Sequence, residues 1–364
     1  MKHVYTNAMK EIDGSRRPCI SDIAAEAGVS IATVSRVINA SAYVKPDVAN
    51  AVRQAIERLG YVRLRIRSGD EPLPVVGLML PDIENPFFAG LIKGVQSAAD
   101  TRGFDLLLVD SGNDPGAVPE RLDRLAARRV QAALVVAPAG FSASVADLSL
   151  QGPRGYSAPV VYMDRKVGAA NANFVGSENH HGAYNAAVYL ASLGHRDVLY
   201  LAGDGDLSNE AERFAGFMAG MHTVGVAGQD ASGSQPQGPS RFFEPCGFSL
   251  DAAYRAVKSR LSAGLDFSAI FAADDYMAYG ALNALREAGL RVPEDVSLVG
   301  FDDLPFSAMI GLTTVKQQAF ELGGTALALA IDLAQGRRRG PQSVILATSL
   351  IIRGSCGINT RSAP

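Results

Sequence analysis

Residues 21–39 (SDIAAEAGVSIATVSRVIN) constrain this chain more than any other stretch. They predict two short helices joined by a tight turn. Ile23, Ala24 and Ala27 recur at helical spacing on the first. Gly28 stands where a helix C-terminus commonly turns left-handed, a conformation that costs glycine little. Ser30 can cap the second helix by accepting from its free N–H groups. On that helix Val34, Val37 and Ile38 share one face and can pack on the first. Ile31, Ala32, Ser35, Arg36 and Asn39 lie on the other. A third helix follows from Pro46 to Gly60, with Val48, Val52, Ile56 and Leu59 as its apolar stripe. The plain reading is an ordinary helical hairpin. The absence of acidic residues from the outer face, and the third helix, favour a helix-turn-helix that offers its second helix to the DNA major groove.

Charge distribution agrees with that reading where net charge does not. The 364 residues sum to only −3, but residues 1–68 hold 11 Lys and Arg against 6 Asp and Glu, and the remainder 23 against 31. A basic head on an acidic body suits a protein that binds DNA at one end. Cys19, Cys246 and Cys356 are widely spaced, which fits a reducing cytoplasm and neither a disulfide framework nor a zinc site. No apolar run approaches membrane-spanning length, and the polar stretch Met1 to Arg17 lacks the apolar core of a secretory signal. That stretch reads as a disordered arm or an early start codon.

From Val75 the texture changes to short apolar strands alternating with amphipathic helices. Strands are expected at 75–80, 105–109, 132–137, 160–163, 198–202, 269–272 and 297–300. Helices are expected at 86–102, 118–129, 180–193, 210–221, 250–261, 276–288 and 319–335. The fold class is therefore α/β, a three-helix headpiece followed by a two-lobed core with parallel sheets. The Gly, Ser, Pro and Gln-rich run from Gln229 to Arg241 is expected to be a mobile surface loop.

In such sheets ligands bind beyond the carboxyl ends of the strands. Phe87 and Phe88, Asp164 and Arg165, Asp274 and Asp275, Asp302 and Asp303, and Gln317 all follow strands, and Arg213 lies near the start of a helix. Carboxylates and guanidiniums match sugar hydroxyls, which both donate and accept. The faces of Phe87, Phe88 and Phe248 suit the C–H face of a sugar ring. Duller roles exist for each. The phenylalanines could be core, the arginines surface charges, and the acids helix caps, with Asp275 and Asp303 the expected cappers of their pairs. Their joint occurrence at strand ends points to a site.

The run from Ala27 to Val37, Ala-Gly-Val-Ser-x-x-Thr-Val-Ser-Arg-Val, resembles the reading-helix signature of the lactose/galactose-repressor family of bacterial transcription regulators. Leu59-Gly60-Tyr61 is similar to that family's end to its third helix, and the resemblance runs from about Ile20 to Arg353. It implies a core like the type I periplasmic sugar-binding fold, whose chain crosses between lobes three times. Carried over, the arm is 1–19, the headpiece 20–61, the hinge or linker 62–74, the effector core 75–356 and the tail 357–364. Lobe one takes about 75–166 and 320–345, lobe two about 167–319 and 346–356.

The resemblance also implies roles. Ser30, Ile31, Ala32, Thr33, Ser35, Arg36, Asn39 and Tyr43 would face a pseudo-palindromic operator of double-stranded DNA. Ile31 and Ala32 suit thymine methyls and Arg36 a guanine edge, while Thr33, Ser35 and Asn39 suit phosphates. Asn85-Pro86-Phe87-Phe88, with Asp105 to Asp114 downstream, is similar to the ribose-binding branch. There the Phe pair stacks on the sugar and the pair present here as Asp164-Arg165 binds hydroxyls. Arg213, Asp302 and Gln317 match the family's Glu-Arg-x-x-Gly-Phe, Gly-Phe-Asp and Thr-Thr-Val-x-Gln motifs. Asp274 departs from the usual Asn or Ser and adds negative charge. The effector is thus a pentose, hexose or cyclitol-like polyol, uncharged or weakly cationic. The linker departs too: Ile66 or Leu64 could wedge into the minor groove with Arg63, Arg65 and Arg67 on phosphates, or the stretch could be a basic flexible tether.

These observations imply a homodimeric, sugar-responsive DNA-binding regulator with no cofactor, no metal and no membrane partner. Two alternatives are a sugar-active enzyme and a secreted sugar-binding protein. No phosphate loop, dinucleotide glycine fingerprint or Gly-x-Ser-x-Gly elbow supports the enzyme. The headpiece and the missing signal argue against the secreted protein.

Overall fold

A computed structural model describes residues 20–39, 44–59, 74–223 and 243–360. The chain divides into two compact units, Met1–Pro72 and Leu73–Pro364. Tyr43 and Ile66, the arm, the linker up to residue 73 and the Gln229 to Arg241 loop lie outside the described residues, as do the side chains of Ile38 and Asn39.

The first unit contains α1 (Ile20–Ala27), α2 (Ile31–Asn39) and α3 (Pro46–Leu59). Ile23, Ala24, Val34, Val52 and Ala55 form its buried centre, with Ala27, Val29, Val37, Ile56 and Leu59 packed around them. Each helix thus contributes the apolar stripe that its 3.6-residue period predicts. Gly28 has φ 64°, and open space surrounds it, so its backbone conformation rather than crowding calls for glycine.

The second unit opens with β1 (Val75–Leu80), α4 (Phe87–Arg102), β2 (Asp105–Asp110), α5 (Ala117–Ala127) and β3 (Ala132–Val135). It continues through β4 (Ser149–Gly152), β5 (Tyr156–Met163), β6 (Asn173–Ser177), α6 (Asn179–Ser192) and β7 (Val198–Ala202). Next come α7 (Ser208–Thr223), β8 (Phe243–Pro245), α8 (Leu250–Ala263), β9 (Ala269–Ala272) and α9 (Asp275–Glu287). The chain ends through β10 (Ser297–Asp302), α10 (Pro305–Met309), β11 (Thr313–Lys316), α11 (Ala319–Ala334), β12 (Ser343–Leu346) and β13 (Ser349–Ile351).

Two sheets result. One has the order β12-β6-β5-β3-β1-β2 with β4 added on β5, the other β13-β11-β10-β9-β7-β8. All pairings are parallel except β4 with β5 and β11 with β13. Side chains of β1 alternate between faces: Val76, Leu78 and Leu80 join the core under α4 and α11, while Met79 joins the one under α5. The second sheet is buried on both sides, with Tyr200, Phe271, Leu298 and Phe301 at its centre.

Each sheet places its strand carboxyl ends next to helix N-termini, where the candidate site residues stand. Glycines let the covering helices meet closely. A Cβ on Gly94 would come 1.9 Å from the Phe320 carbonyl oxygen, and one on Gly216 would come 2.1 Å from that of His180. The first joins α4 to α11, the second α6 to α7.

The lobe boundary drawn after residue 166 is corrected. Strand β6 belongs to the first sheet, pairing Val161 with Asn173 and Met163 with Val175. Val175 is fully buried beside Val161 and Met163, so the apolar strand stays with that core until Ser177. Leu346, expected in lobe two, pairs with Ser177 in the first sheet. Strand order changes sheet after β6, β11 and β12. Strand β6, five residues and mostly buried, was not anticipated, and neither were β4, β8, β12 and β13. Of these, the last four are short, three or four residues long, and carry half-exposed or mixed patterns.

Candidate functional site

In the headpiece, Ser30 terminates the turn by capping α2. Its hydroxyl accepts from the Thr33 N–H at 3.1 Å and lies 2.9 Å from the Thr33 hydroxyl. The preceding helix closes through the Val29 N–H, which donates to the Ala24 carbonyl at 3.0 Å. This geometry turns Val34 into the core and leaves Ile31, Ala32 and Arg36 on the surface, with Thr33 and Ser35 half-buried. An isoleucine 55% exposed at the first turn of a helix does nothing for a three-helix core. It is consistent with a surface that meets something.

In the core unit, Phe87, Phe88, Asp164, Arg165, Arg213, Phe248, Asp274, Asp302 and Gln317 line one cavity together with Asn85 and Asn209. About 260 Å³ of space, open solvent at its mouth included, lies among them. Phe87 and Phe88 open α4, their rings edge to face at 5.4 Å, and the Phe87 N–H donates to the Asn85 side chain at 3.0 Å. Both rings are nearly covered while also bounding the cavity, so packing in the core and lining the cavity do not exclude one another.

Asp164 sits just past β5 in the left-handed region, with φ 62°. Asn209 Nδ2 donates to Asp164 Oδ2 at 3.1 Å, and Arg165 Nε lies 3.6 Å from the same oxygen. Arg165 is anchored by donating to the Ala137 carbonyl at 3.0 Å, with its guanidinium 6.0 Å from the Phe88 ring centre. Burial lowers its pKa, opposed first by Asp164.

Arg213 is more tightly held. Its Nε donates to Asn179 at 2.9 Å, one terminal nitrogen donates to the Ala273 carbonyl at 2.6 Å, and the other stands 3.7 Å from Asp302. The guanidinium lies 4.0 Å from the Phe301 ring centre and 5.9 Å from that of Phe248. Helix α7 begins at Ser208, so Arg213 falls in its second turn rather than the expected first.

The acid pairs divide their work differently from the expectation. Asp274, not Asp275, caps α9 by accepting from the Met277 N–H at 2.7 Å. Asp275 is fully buried and accepts from the Leu304 N–H at 2.8 Å and from the Ser307 and Thr314 hydroxyls. It pins the loop after β10 to α9 and β11. Asp303 pairs with Arg353 at 2.6 Å and caps no helix. Asp302, with φ 119°, accepts from Gln317 Nε2 at 2.7 Å.

Burial pushes Asp274 up to about 7, opposed by the Met277 N–H and Arg213. Burial likewise holds Asp302 well above the ordinary carboxylate range, with Arg213 opposing and Asp274 reinforcing. Asp275 is pushed up to about 6 by burial against its three donors.

Three polar atoms of the residues that line this cavity are buried without a hydrogen-bond partner: Asp164 Oδ1, Arg165 Nε and Gln317 Oε1. Buried polar groups are rarely left unpaired, because each costs about 1–3 kcal/mol. Their clustering around one cavity is the pattern of a site that a polar ligand completes. Asn85 and Asn209 were not singled out as site residues. Asn85 stands in the same Asn-Pro-Phe-Phe run that pointed to the phenylalanines, whereas nothing local marks Asn209. Among the described residues no helix is long and apolar enough to cross a membrane.

Comparison with known proteins fits both halves. A family model described as bacterial regulatory proteins, lacI family, matches residues 19–63, and one described as a periplasmic binding protein-like domain matches residues 187–356. The HTH-type transcriptional regulator CelR of Thermobifida fusca is 32% identical over 352 residues, covering 93% of this chain and 98% of its own. The HTH-type transcriptional repressor PurR of Pectobacterium carotovorum subsp. carotovorum (strain PC1) is 30% identical over 346 residues, covering 92% of this chain and 96% of its own. A solved complex of transcriptional regulator CelR with cellobiose is similar with a TM-score of 0.66 at 30% identity, covering 93% of this chain and all of that one. The lac repressor dimer bound to operator and an anti-inducer shares the fold, with a TM-score of 0.67 at 24% identity and 93% and 99% coverage. With a headpiece and a core both matched and a relative of this identity along nearly its whole length, the chain belongs to the lacI family of bacterial regulatory proteins.

Proposed function

We propose that this chain is a cytoplasmic, nucleoid-acting transcription regulator whose affinity for operator DNA is set by a small sugar or polyol. Residues 20–61 read the operator, 62–74 link, and 75–356 hold the effector, with the two sheets as its lobes. The observation that carries the effector half is the cavity itself. Nine aromatic, acidic, basic and amide side chains expected to bind a polyhydroxylated ring line one space with unpaired donors and acceptors around it.

Phe87, Phe88 and Phe248 supply faces for ring C–H groups, while Asp164, Arg165, Arg213, Asp274, Asp302 and Gln317 supply hydrogen bonds to hydroxyls. Ligand contacts with both lobes favour one degree of closure over another. A homodimer carries two headpieces to a pseudo-palindromic site, so closure alters their spacing and the DNA affinity with it. Ser30, Ile31, Ala32, Thr33, Ser35, Arg36, Asn39, Tyr43 and Ile66 are assigned to the DNA side.

The test is fluorescence anisotropy of the purified full chain on promoter fragments from its own genomic neighbourhood, with and without a sugar panel. Salt-sensitive, site-selective binding that shifts with at least one sugar is expected. Absence of site-selective binding overturns the regulator, and binding indifferent to every sugar overturns the effector.

A further inference from the structure

The cavity is unevenly supplied with charge. Its two guanidiniums are each matched, Arg165 with Asp164 at 3.6 Å and Arg213 with Asp302 at 3.7 Å. Asp274 has no such partner among the described residues. Its side chain accepts from the Met277 N–H, and it is only 2% exposed. The groups acting on it from neighbouring elements are mostly of its own sign: Glu210 and Arg213 on α7, Asp302 on β10 and Asp275 on its own helix. Glu210 is itself buried, with its oxygens taken by the Tyr200 hydroxyl at 2.9 Å and the Gly203 N–H at 2.9 Å. The unpaired atoms lean the same way. Two of the three, Asp164 Oδ1 and Gln317 Oε1, are acceptors, so the cavity asks for more donors than it offers.

A buried carboxyl whose nearby cation, Arg213, is already paired with another acid has two remedies, to hold a proton or to receive a positive ligand. Burial pushes the Asp274 carboxyl in the direction of the first. A ligand ammonium would serve better, since it brings only donors and a charge, and the resulting hydrogen bonds are charge-assisted. We propose that the effector is a cationic polyol of monosaccharide size, an amino sugar or a sugar with nitrogen in its ring, with its ammonium against Asp274. This rests on the cavity being the effector site. It chooses between the uncharged and cationic polyols that the sequence leaves open.

The experiment is calorimetric titration and thermal shift of the full chain at neutral pH with matched probes. Glucosamine is set against glucose, galactosamine against galactose, mannosamine against mannose, and deoxynojirimycin against anhydroglucitol. The first three pairs test an exocyclic amine and the last a ring nitrogen. At least one amine should bind about tenfold or more tighter than its neutral parent, as a charge-assisted bond exceeds a neutral one. Asp274→Asn and Asp274→Ser both keep a side chain that can cap α9, and should bring that ratio within about twofold. Neutral sugars binding as well as their amines, or a ratio unmoved by both substitutions, would overturn the proposal and leave the polyol site standing. Failure of every probe to bind would overturn the proposal and count against the polyol site as well.

Discussion

Gln317 Nε2 donates to Asp302 Oδ1 at 2.7 Å, while Gln317 Oε1 is buried with no hydrogen-bond partner. One amide of a residue that lines the cavity thus holds a buried carboxyl in place and keeps an unused acceptor. Both residues close strands of the second sheet, since Asp302 ends β10 and Gln317 follows β11, which pairs with β10. Gln317→Leu keeps similar bulk but leaves Asp302 with Arg213 alone. Loss of a hydrogen bond to a buried acid is expected to cost about 1–3 kcal/mol, read as a lower urea midpoint at unchanged slope. The sugar response should fall with it, and a variant that keeps full response would remove Gln317 from the site.

Two of the raised carboxyls, Asp274 and Asp275, predict a pH dependence with a definite sign, and Asp302 and Glu210 are raised in the same direction. Asp274 at about 7 and Asp275 at about 6 both lie above the unfolded carboxylate value. A folded pKa above the unfolded one contributes stability that is complete below the unfolded value and is lost as pH rises through the folded one. These two acids therefore favour the fold near pH 4 and progressively less up to about pH 7. His195 opposes them in part of that window. Burial lowers its pKa, so its contribution is present above its unfolded value and lost as pH falls. The difference between wild type and Asp274→Asn isolates the first effect. Thermal scans at about pH 5 and about pH 8 should show the wild type losing more stability on alkalinisation than Asp274→Asn. Equal losses would mean that Asp274 titrates as an ordinary surface acid.

Helix seams make a third prediction. Gly216 lets α7 approach α6 so closely that a Cβ would meet the His180 carbonyl at 2.1 Å, and backbone cannot step aside as a side chain can. Gly216→Ala should destabilise the core by about 1–3 kcal/mol. Gly205 has nothing within 4 Å of its would-be Cβ and no positive φ, so Gly205→Ala should be close to neutral. Guanidinium denaturation midpoints of the two variants decide it, and equal shifts would refute a packing cause.

How much of this was readable in advance follows from how local each cause is. The turn at Gly28, the cap at Ser30 and the outward Ile31 are set by residues within a few positions of one another, and the spacing of residues 21–39 foretold them. The long buried strands, such as β7 and β10, announce themselves as unbroken apolar runs between helical stretches. Strand ends pointed to the residues that line the cavity because parallel α/β sheets bring strand ends together there. What stayed hidden depends on distant partners. Strand β12 exists as a strand because β6 offers it an edge, with Val344 opposite Val175 from far along the chain. Which acid of the Asp274 and Asp275 pair caps α9 hinges on whether Ser307, Thr314 and Leu304 converge on the other. Asn209 enters the cavity only because α7 begins two residues earlier than its apolar period suggests.

The reading helix carries the last prediction. Arg36 is exposed on α2, one turn after the exposed pair Ile31 and Ala32, while Val34 and Val37 on the opposite side hold the helix to its neighbours. Removing the Arg36 side chain should therefore leave the headpiece folded and act on DNA alone. A guanidinium that meets a guanine edge by two hydrogen bonds discriminates bases, whereas one on a phosphate does not. Arg36→Ala is expected to weaken operator binding by about 1–3 kcal/mol and to relax preference at one base pair in each half-site. Binding to operators with single base changes, measured at several salt concentrations, separates the two roles. An equal loss on every sequence, with a reduced salt slope, would place Arg36 on the backbone and leave base choice to Ile31 and Ala32.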